Sequence, residues 1–211
     1  MLEDYIMKKP LIVIAGPTAC GKSAVSVELA KIINGEIISA DSMQVYRGMD
    51  IGTAKITKEE MGGIKHYLID CLNPDEEFSV AVFQTMAKKA IDEIIGNGKI
   101  PILVGGTGFY INALINDNDF SSSKCDYAIR EKLKKLLEEK GAGFIYNKLK
   151  EYDPEYASTV HQNNTKKVIR ALEYCLENNE KFSEYNKREK LKEPIYDLNF
   201  FILNMDREKT L

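Results

Sequence analysis

Residues 16–23 combine two glycines, a lysine and a hydroxyl residue at a fixed spacing. They match the pattern G-x-x-x-x-G-K-[ST], in which glycines let consecutive backbone N–H groups point at phosphate oxygens. The lysine supplies a mobile positive charge, and the hydroxyl can bind a phosphate-bound Mg²⁺, here through Ser23. The eight residues are Gly16, Pro17, Thr18, Ala19, Cys20, Gly21, Lys22 and Ser23. This spacing predicts a site for a phosphate compound without saying which one.

The segments on either side of this loop have the patterns that such a site needs. Leu11–Ala15 is apolar at every position, which is typical of a buried parallel strand. Apolar residues recur at helical spacing through Ser23–Ile33, and Asn34-Gly35 is a helix stop signal. A helix that begins at the loop adds the partial positive charge of its N-terminus. This context favours a phosphate site over a merely glycine-rich turn.

Strand and helix patterns continue to alternate along the chain. Glu36–Ser39, Ile64–Asp70 and Ile100–Val104 are predicted strands. Phe78–Ile95 is a predicted helix with Ser79 as its N-cap. This alternation predicts an α/β fold, a P-loop NTPase-like parallel sheet flanked by helices.

From residue 121 the pattern becomes long, charged and helical. Asp126–Lys140 and Asn164–Asn178 are predicted helices, the second capped by Asn163 or Asn164. Strand character returns at Asn199–Asn204. The predicted division is an α/β core of residues 1–120 and 193–211, with residues 121–192 as a helical insertion domain.

Composition and charge restrict the class of protein. The chain is 44% hydrophobic and 29% charged, without a bilayer-length apolar run or a signal-peptide pattern, so we predict a cytoplasmic protein that does not contact membrane. Its four cysteines contain no C-x-x-C pair, which argues against a zinc site or a disulfide framework. The net charge is −3, yet residues 121–192 hold 16 Lys and Arg against 12 Asp and Glu. This asymmetry favours a polyanionic partner for the helical region.

Polar residues follow several of the predicted strands. Because ligands of parallel sheets bind at the carboxyl ends of strands, these residues are expected to meet near the loop. Asp41 could be a general base or a magnesium ligand, or else the N-cap carboxylate of a helix. Gly105–Gly108 could supply backbone donors and the Thr107 hydroxyl, or else form a tight turn. Arg207 could bind a leaving pyrophosphate, or else be a solvated surface residue.

The helical region holds basic residues that could meet a nucleic-acid backbone. These are Arg130, Lys166, Lys167 and Arg170. The alternative from the pattern alone is that they form the solvated sides of amphipathic helices. Asp70, at the end of a predicted strand, is expected to cap a turn.

Several strings occur in the order found in one enzyme family. They are GPTACGKS (16–23), DSMQVYRGMDIGTAK (41–55), HYLID with FSVAVFQ (66–70 and 78–84), PILVGGTGFY (101–110), HQNNTKKVIRALE (161–173) and MDRE (205–208). Together they resemble the tRNA dimethylallyltransferases, also called tRNA isopentenyltransferases, over nearly the whole chain. The 41–55 string is the most specific, since ordinary P-loop kinases do not carry it.

The resemblance implies transfer of the dimethylallyl group of dimethylallyl diphosphate to the exocyclic amine of the adenine 3′ to the anticodon of tRNA. It implies Mg²⁺ as cofactor, Asp41 as the base, and Lys22 and Thr107 among the catalytic groups. Residues 16–23 and Arg207 would hold the pyrophosphate. The residues implied to contact the tRNA anticodon loop are Asp41, Ser42, Met43, Gln44, Thr107, Arg130, Lys166, Lys167, Val168, Ile169 and Arg170.

The chain departs from the family pattern in two ways. Asn163–Lys167 reads Asn-Asn-Thr-Lys-Lys where the family usually has Asn-Asp-x-Gln-Arg, so charge is kept while the Gln amide and the planar Arg fork are lost. Family members continue beyond the point where this chain ends, at Leu211, so a truncated form of the enzyme, acting as a monomer, is expected.

Three other functions stay open from the sequence. The first is prenyl transfer to free adenine nucleotides, as by an adenylate isopentenyltransferase. The second is an ATP-binding small-molecule kinase, which the loop alone would favour. The third is a fragment that binds tRNA or pyrophosphate without turnover.

Overall fold

The computed structural model describes residues 7–118 and 127–204. The chain forms two compact units, Met1–Asn118 with Pro194–Leu211 and Asp119–Glu193. None of the described helices is both long enough and apolar enough to cross a membrane.

The first unit contains a five-stranded parallel sheet. Its strands are β1 (Lys9–Ala15), β2 (Gly35–Ser39), β3 (His66–Tyr67), β4 (Ile100–Gly105) and β5 (Tyr196–Ile202), in the spatial order β3-β2-β4-β1-β5. Its helices are α1 (Lys22–Ile33), α2 (Val80–Gly96) and α3 (Gly108–Ile115). The α/β parallel sheet predicted from the sequence is confirmed.

Helices cover both faces of this sheet, which explains why its strands are continuously apolar. Leu11 and Val13 of β1 belong to a core with residues of α2 and α3. The intervening Ile12 and Ile14 pack with Val27 and other residues of α1. Because successive side chains of a strand point to opposite faces, each face of β1 is buried by a different helix layer.

Two strands differ from their predicted extents by three residues at one end. The predicted strand Ile64–Asp70 is reduced to His66–Tyr67, because Leu68 and Asp70 adopt left-handed backbone angles, with φ of 59° and 51°. The last strand begins at Tyr196 rather than Asn199, since it pairs with β1 from its first residue onward. Helix α2 is close to the prediction, and Ser79 caps it by accepting from the Val82 N–H at 3.3 Å.

The second unit is helical. Its helices are α4 (Tyr127–Tyr152), α5 (Pro154–Thr159), α6 (Thr165–Asn178) and α7 (Phe182–Lys190). Helix α4 is interrupted at Gly141, where φ is 81° and ψ is 171°. The predicted helix Asp126–Lys140 ends one residue before this interruption. Asn164 caps α6 by accepting from the Lys167 N–H at 3.4 Å.

Three helices were not predicted, and each is short or strongly polar. α3 and α5 have only 8 and 6 residues, too few for a clear helical period. Helix α7 is mostly charged, so it lacks a continuous apolar stripe. A local signal for α5 exists nonetheless, since Asp153 accepts from the Tyr156 N–H and a proline follows at the first helical position.

Candidate functional site

The loop 16–23 connects β1 to α1 and depends on residues that tolerate unusual backbone angles. Gly21 is left-handed, with φ of 81°, and occupies the N-cap position of α1. Ala19 is also left-handed, with φ of 64°. A side chain on Gly16 would collide with the Leu203 carbonyl and come within 2.9 Å of the Cys20 sulfur. The loop is therefore packed closely at its start and open at its helix end.

The lysine and the serine of this loop lie at the same cavity. Lys22 Nζ donates to the Pro17 carbonyl at 2.5 Å and lies 3.8 Å from the Cys20 sulfur. Ser23 is exposed and also lines the cavity. A positive charge and a hydroxyl at the N-terminus of α1 can interact with an anionic group.

Asp41 lies in a turn after β2, where it organises the backbone of the residues that follow. Its Oδ1 accepts from the N–H groups of Met43 at 2.8 Å and Gln44 at 3.2 Å. No helix begins here, so the expected alternative of a helix N-cap is wrong, and the carboxylate caps a turn instead. Within the described residues, no hydrogen bond is recorded for Oδ2, which leaves this oxygen for other chemistry.

A cavity of about 600 Å³ brings most of the predicted site residues of the first unit together. Its lining includes part of loop 16–23, the Asp41 turn, and Gly105 with Gly106. Of the loop, the lining residues are Thr18, Ala19, Gly21, Lys22 and Ser23, and of the turn they are Asp41, Ser42, Met43 and Gln44. The expected convergence at the carboxyl ends of the strands is thus present in the geometry.

Other predicted residues lie beside this cavity or outside the described part of the chain. Gly16, Pro17 and Cys20 belong to the loop but not to the lining. Thr107 is half-buried at the N-cap of α3, without a side-chain capping bond. Arg207 lies outside the described residues.

The side-chain amide of Gln44 is engaged within the protein. Its Nε2 donates to the carbonyls of Thr53 at 3.2 Å and Ala54 at 3.4 Å, while its Oε1 accepts from the Ser39 hydroxyl at 3.3 Å. A contact between Gln44 and a base edge would require these bonds to exchange. Gln44 in this conformation shapes the cavity wall, a role that the string 41–55 alone did not reveal.

His66 is a cavity residue that the sequence analysis did not select. Its Nδ1 lies 2.9 Å from the Ile64 carbonyl, and the ring is half-buried in the lining. Burial lowers the pKa of His66 below its ordinary value, and the bond to Ile64 opposes that shift only in part. The imidazole is therefore expected to be neutral at pH 7. The predicted strand Ile64–Asp70 and the string 66–70 both include His66, but neither pattern indicates that its side chain lines a cavity.

In the helical unit, the predicted basic residues differ in their environments. Lys166 and Lys167 are exposed in the first turn of α6. Arg130 donates to Oε2 of the buried Glu173 at 2.7 Å, and Arg170 lies 3.9 Å from the same oxygen. Two guanidinium groups thus converge on one buried carboxylate.

Val168 and Ile169 cannot both present side chains to a ligand. Val168 is 1% exposed in the core of the helical unit, so a direct contact from its side chain is ruled out in this conformation. Ile169 is half-buried against the same core. The helical period that makes α6 amphipathic places these residues inward while Lys166 and Lys167 remain outside.

The residues at the cavity are compatible with magnesium carried by a phosphate compound. No group of three or more His, Cys, Asp and Glu residues that could hold a metal ion occurs among the described residues. Magnesium needs few protein ligands, because it keeps waters and binds substrate phosphates together with one or two protein oxygens. Ser23 and Asp41, which line the same cavity, supply oxygen donors of this kind.

The fold and the site define a class, an α/β protein with a P-loop-like fold and its cavity at the carboxyl ends of the central strands. The family described as IPP transferase matches residues 44–211. The chain belongs to this family.

Two curated relatives of this chain carry the same name. The proteins from Lachnoclostridium phytofermentans and Alkaliphilus oremlandii, both named tRNA dimethylallyltransferase, are 52% and 53% identical to this chain over 200 and 203 residues. These alignments cover 95% and 96% of the chain. The chain spans 64% of the length of either relative.

Two solved structures that are similar to this chain are also described as transferases of this kind. A tRNA isopentenylpyrophosphate transferase from Bacillus halodurans is 46% identical with a TM-score of 0.61, covering 95% of this chain and 62% of that one. A eukaryotic dimethylallyltransferase described as acting on tRNA is 37% identical with a TM-score of 0.82, covering 94% of this chain and 49% of that one.

Proposed function

We propose that this protein transfers the dimethylallyl group of dimethylallyl diphosphate to the exocyclic amine of the adenine 3′ to the anticodon in tRNA, releasing pyrophosphate. The observation that carries the proposal is the single cavity lined by Lys22, Ser23 and Asp41. A cation and a hydroxyl suited to a diphosphate lie in the same space as a carboxylate suited to a proton. Family membership and the names of the relatives support the same reaction.

The proposed chemistry assigns each of these groups one task. The bond between the allylic carbon and the diphosphate oxygen breaks, and its electron pair leaves with pyrophosphate. The adenine amine forms the new carbon–nitrogen bond, and its proton passes to Asp41. Lys22 and the backbone N–H groups at the start of α1 stabilise the charge that develops on the leaving group. Oδ1 of Asp41 is held by the turn, so Oδ2 is the proposed proton acceptor.

Magnesium is part of this proposal, with Ser23 as its protein ligand. When bound to the diphosphate, the ion would neutralise negative charge on the leaving group. Thr107 remains a proposed catalytic contributor, and Arg207 remains a proposed ligand of the pyrophosphate.

The helical unit is proposed to contact tRNA through its exposed cations. Lys166 and Lys167 lie in the first turn of α6, where positive charge opposes the helix dipole and costs about 0.3–1 kcal/mol each. A role toward phosphate groups accounts for cations at this unfavourable position. A tRNA substrate also fits the predicted cytoplasmic location, and a monomer remains the proposed state.

The experiment is incorporation of radiolabelled dimethylallyl groups into unmodified tRNA, measured at single turnover with the 211-residue chain. Asp41→Asn keeps an acceptor for the turn but loses the base, so the rate should fall by about 10²–10⁴-fold. Asp75→Asn, at an exposed position, is the control. Unchanged transfer by Asp41→Asn would contradict the assignment of the base.

The same assay separates the alternative functions. Competition by AMP against tRNA would indicate a free-nucleotide acceptor. Phosphoryl transfer from ATP without prenyl transfer would indicate a kinase. Binding of tRNA and diphosphate without transfer would support a binding-only role, and transfer by the chain would exclude that role.

A further inference from the structure

Lys55 has a buried side chain whose ammonium group binds three oxygen atoms. Its side chain is only 4% exposed. Nζ donates to the Tyr46 carbonyl at 2.7 Å, to Asp50 Oδ1 at 2.8 Å and to Asp70 Oδ1 at 2.5 Å. A lysine ammonium has three N–H donors, and three oxygens accept from it here, so its hydrogen-bonding capacity is used in full.

These partners come from two separate strings of the sequence. Tyr46 and Asp50 lie in the string 41–55, whereas Asp70 ends the string 66–70. Backbone bonds also join the two strings, since the Asp70 N–H donates to the Gln44 carbonyl at 3.1 Å and the Cys71 N–H donates to the Val45 carbonyl at 2.9 Å. Residues 44 and 45 are therefore joined to residues 70 and 71 by backbone bonds, and Lys55 connects the end of the string 41–55 to the same segment through Asp70. The carboxylate of Asp70 takes part in an ion pair rather than only capping a turn.

The segment that Lys55 fastens is a wall of the cavity. Gly52, Thr53 and Ala54 line the cavity, on the same chain segment as the Asp41 turn. Gln44 bonds to the carbonyls of Thr53 and Ala54, so the turn and the wall are directly connected. Displacement of this wall would therefore be transmitted to the residues that follow Asp41.

The backbone on both sides of this contact is strained, so it needs support. Ala54 and Asp70 have left-handed φ angles of 47° and 51°, which residues with a side chain adopt at a cost. Burial lowers the pKa of Lys55, but the hydrogen bonds to Asp50 and Asp70 outweigh it and raise the pKa above the ordinary value. The ammonium stays charged at physiological pH and can stabilise this backbone continuously.

We propose that Lys55 is a positioning residue that, by binding Tyr46, Asp50 and Asp70, fixes the cavity wall on which the Asp41 turn depends. This inference rests on the proposed function, because it assigns the wall to the side that receives the adenine. Loop 16–23 makes none of these bonds, so the diphosphate side should not depend on Lys55. A substitution of Lys55 should then impair the adenine side of the cavity and leave diphosphate binding unchanged.

The test compares Lys55→Met with the unsubstituted 211-residue chain in three measurements. Amide hydrogen exchange reports the order of residues 44–54 and 70–72. Calorimetry with inorganic pyrophosphate and Mg²⁺ reports the loop side. Steady-state transfer reports kcat and KM for tRNA. Lys31→Met, which removes an exposed pair with Glu28, is the matched control.

We expect faster exchange in residues 44–54, pyrophosphate affinity within about twofold, and a fall of about 100-fold in kcat/KM for tRNA, since small displacements of a reacting group cost this much. Unchanged exchange in residues 44–54, or an equal loss of pyrophosphate affinity, would overturn the proposal. Absence of transfer by the unsubstituted chain would contradict the proposed function instead, because the exchange and pyrophosphate measurements do not require turnover.

Asp50→Asn provides a second variant if Lys55→Met fails to fold. The Asp50 side chain is 64% exposed, and Asp70 still pairs with the buried Lys55 ammonium after this substitution, so the buried charge keeps a carboxylate partner. It removes one of the two carboxylates that face Lys55 while keeping the side-chain shape. We expect Asp50→Asn to lower kcat/KM for tRNA by a smaller factor than Lys55→Met does, again without loss of pyrophosphate affinity. Unchanged kcat and KM for tRNA would count against the proposal.

Discussion

Gly105, at the end of β4, lies directly against the carbonyl group of Ala40, which follows β2. A Cβ added to Gly105 would lie 2.7 Å from the Ala40 carbonyl carbon and closer still to its oxygen. The next residue, Gly106, packs beside the Gly16 carbonyl, 3.3 Å from where its own Cβ would be. The glycine pair thus allows loop 16–23 and the Asp41 turn to approach one another.

Gly105→Ala should therefore destabilise the protein by about 1–3 kcal/mol, because the backbone must move to accept a methyl group. Urea unfolding measures this change. Gly96→Ala, at the end of α2 with open space around its Cβ, is the control and should change stability by less than about 1 kcal/mol. Equal effects of the two substitutions would contradict the close packing of β4 against Ala40.

The stability of the protein should depend on the protonation of His66. Because burial lowers its pKa in the folded state, the unfolded chain binds a proton at higher pH than the folded chain does. The contribution of His66 is therefore complete above about pH 6.5 and is lost as the pH falls through and below that value. His66→Gln should remove this loss, measured as the free energy of unfolding at about pH 7.5 and 5.5.

Exposed His161 provides the comparison for this measurement. His161→Gln, measured at the same two pH values, controls for the loss of an imidazole. The pH is kept above 5 because Glu93 and Glu180, whose pKa values are lowered by hydrogen bonds to Lys65 and Arg188, lose their contributions only in more acidic solution. An unaltered pH dependence in His66→Gln would show that another group is responsible.

The two lysines of α6 should contribute to RNA binding in a salt-dependent way. Substitution of both Lys166 and Lys167 by alanine should weaken binding of an unmodified anticodon stem-loop and reduce the slope of log K against log salt by about 1.4–1.8. Fluorescence anisotropy at several salt concentrations measures the slope. Lys134→Ala, which removes an exposed partner of Glu131, should leave it unchanged. An unchanged slope in the double variant would contradict a contact between these two lysines and RNA phosphates.

Asp153 should be the most sensitive polar position of the helical unit. It is fully buried, its Oδ1 accepts from the Tyr156 N–H and the Ser183 hydroxyl, and its Oδ2 accepts from the Ser183 N–H at 2.7 Å. Asp153→Ala would leave these donors unpaired, at a cost of about 2–4 kcal/mol in urea unfolding. Exposed Glu151→Ala should cost less than about 0.5 kcal/mol. A similarly small effect of Asp153→Ala would refute the role of this network.

Local patterns predicted several elements whose structure neighbouring residues determine. Continuous apolar runs predicted the central strands, because both of their faces are buried by helices. Ser79 was identified as a helix cap and Asn164 was one of two candidates for the cap of α6, since capping involves only residues within one turn. The loop pattern and the order of the family strings indicated the class of protein before any contact was known.

Local patterns did not reveal which distant residues meet. The Asp70 carboxylate binds Lys55, fifteen residues away, and the Gln44 amide is held by the carbonyls of Thr53 and Ala54. Glu173 is buried beneath Arg130, 43 residues earlier in the chain. A hydrogen bond between distant residues depends on which elements pack together, and periodicity says nothing about that choice.

The sequence by itself therefore determined the fold class, the loop 16–23 and the family. Each of these depends on residue types at short, regular spacing, which constrain the backbone through sterics and local hydrogen bonds. Only the tertiary structure decided that the Gln44 amide binds the carbonyls of Thr53 and Ala54, that Gly105 must lack a side chain, and that Lys55 binds Asp50 and Asp70 beside the cavity. Those relationships arise when strands and loops that are distant in sequence become neighbours in the folded chain.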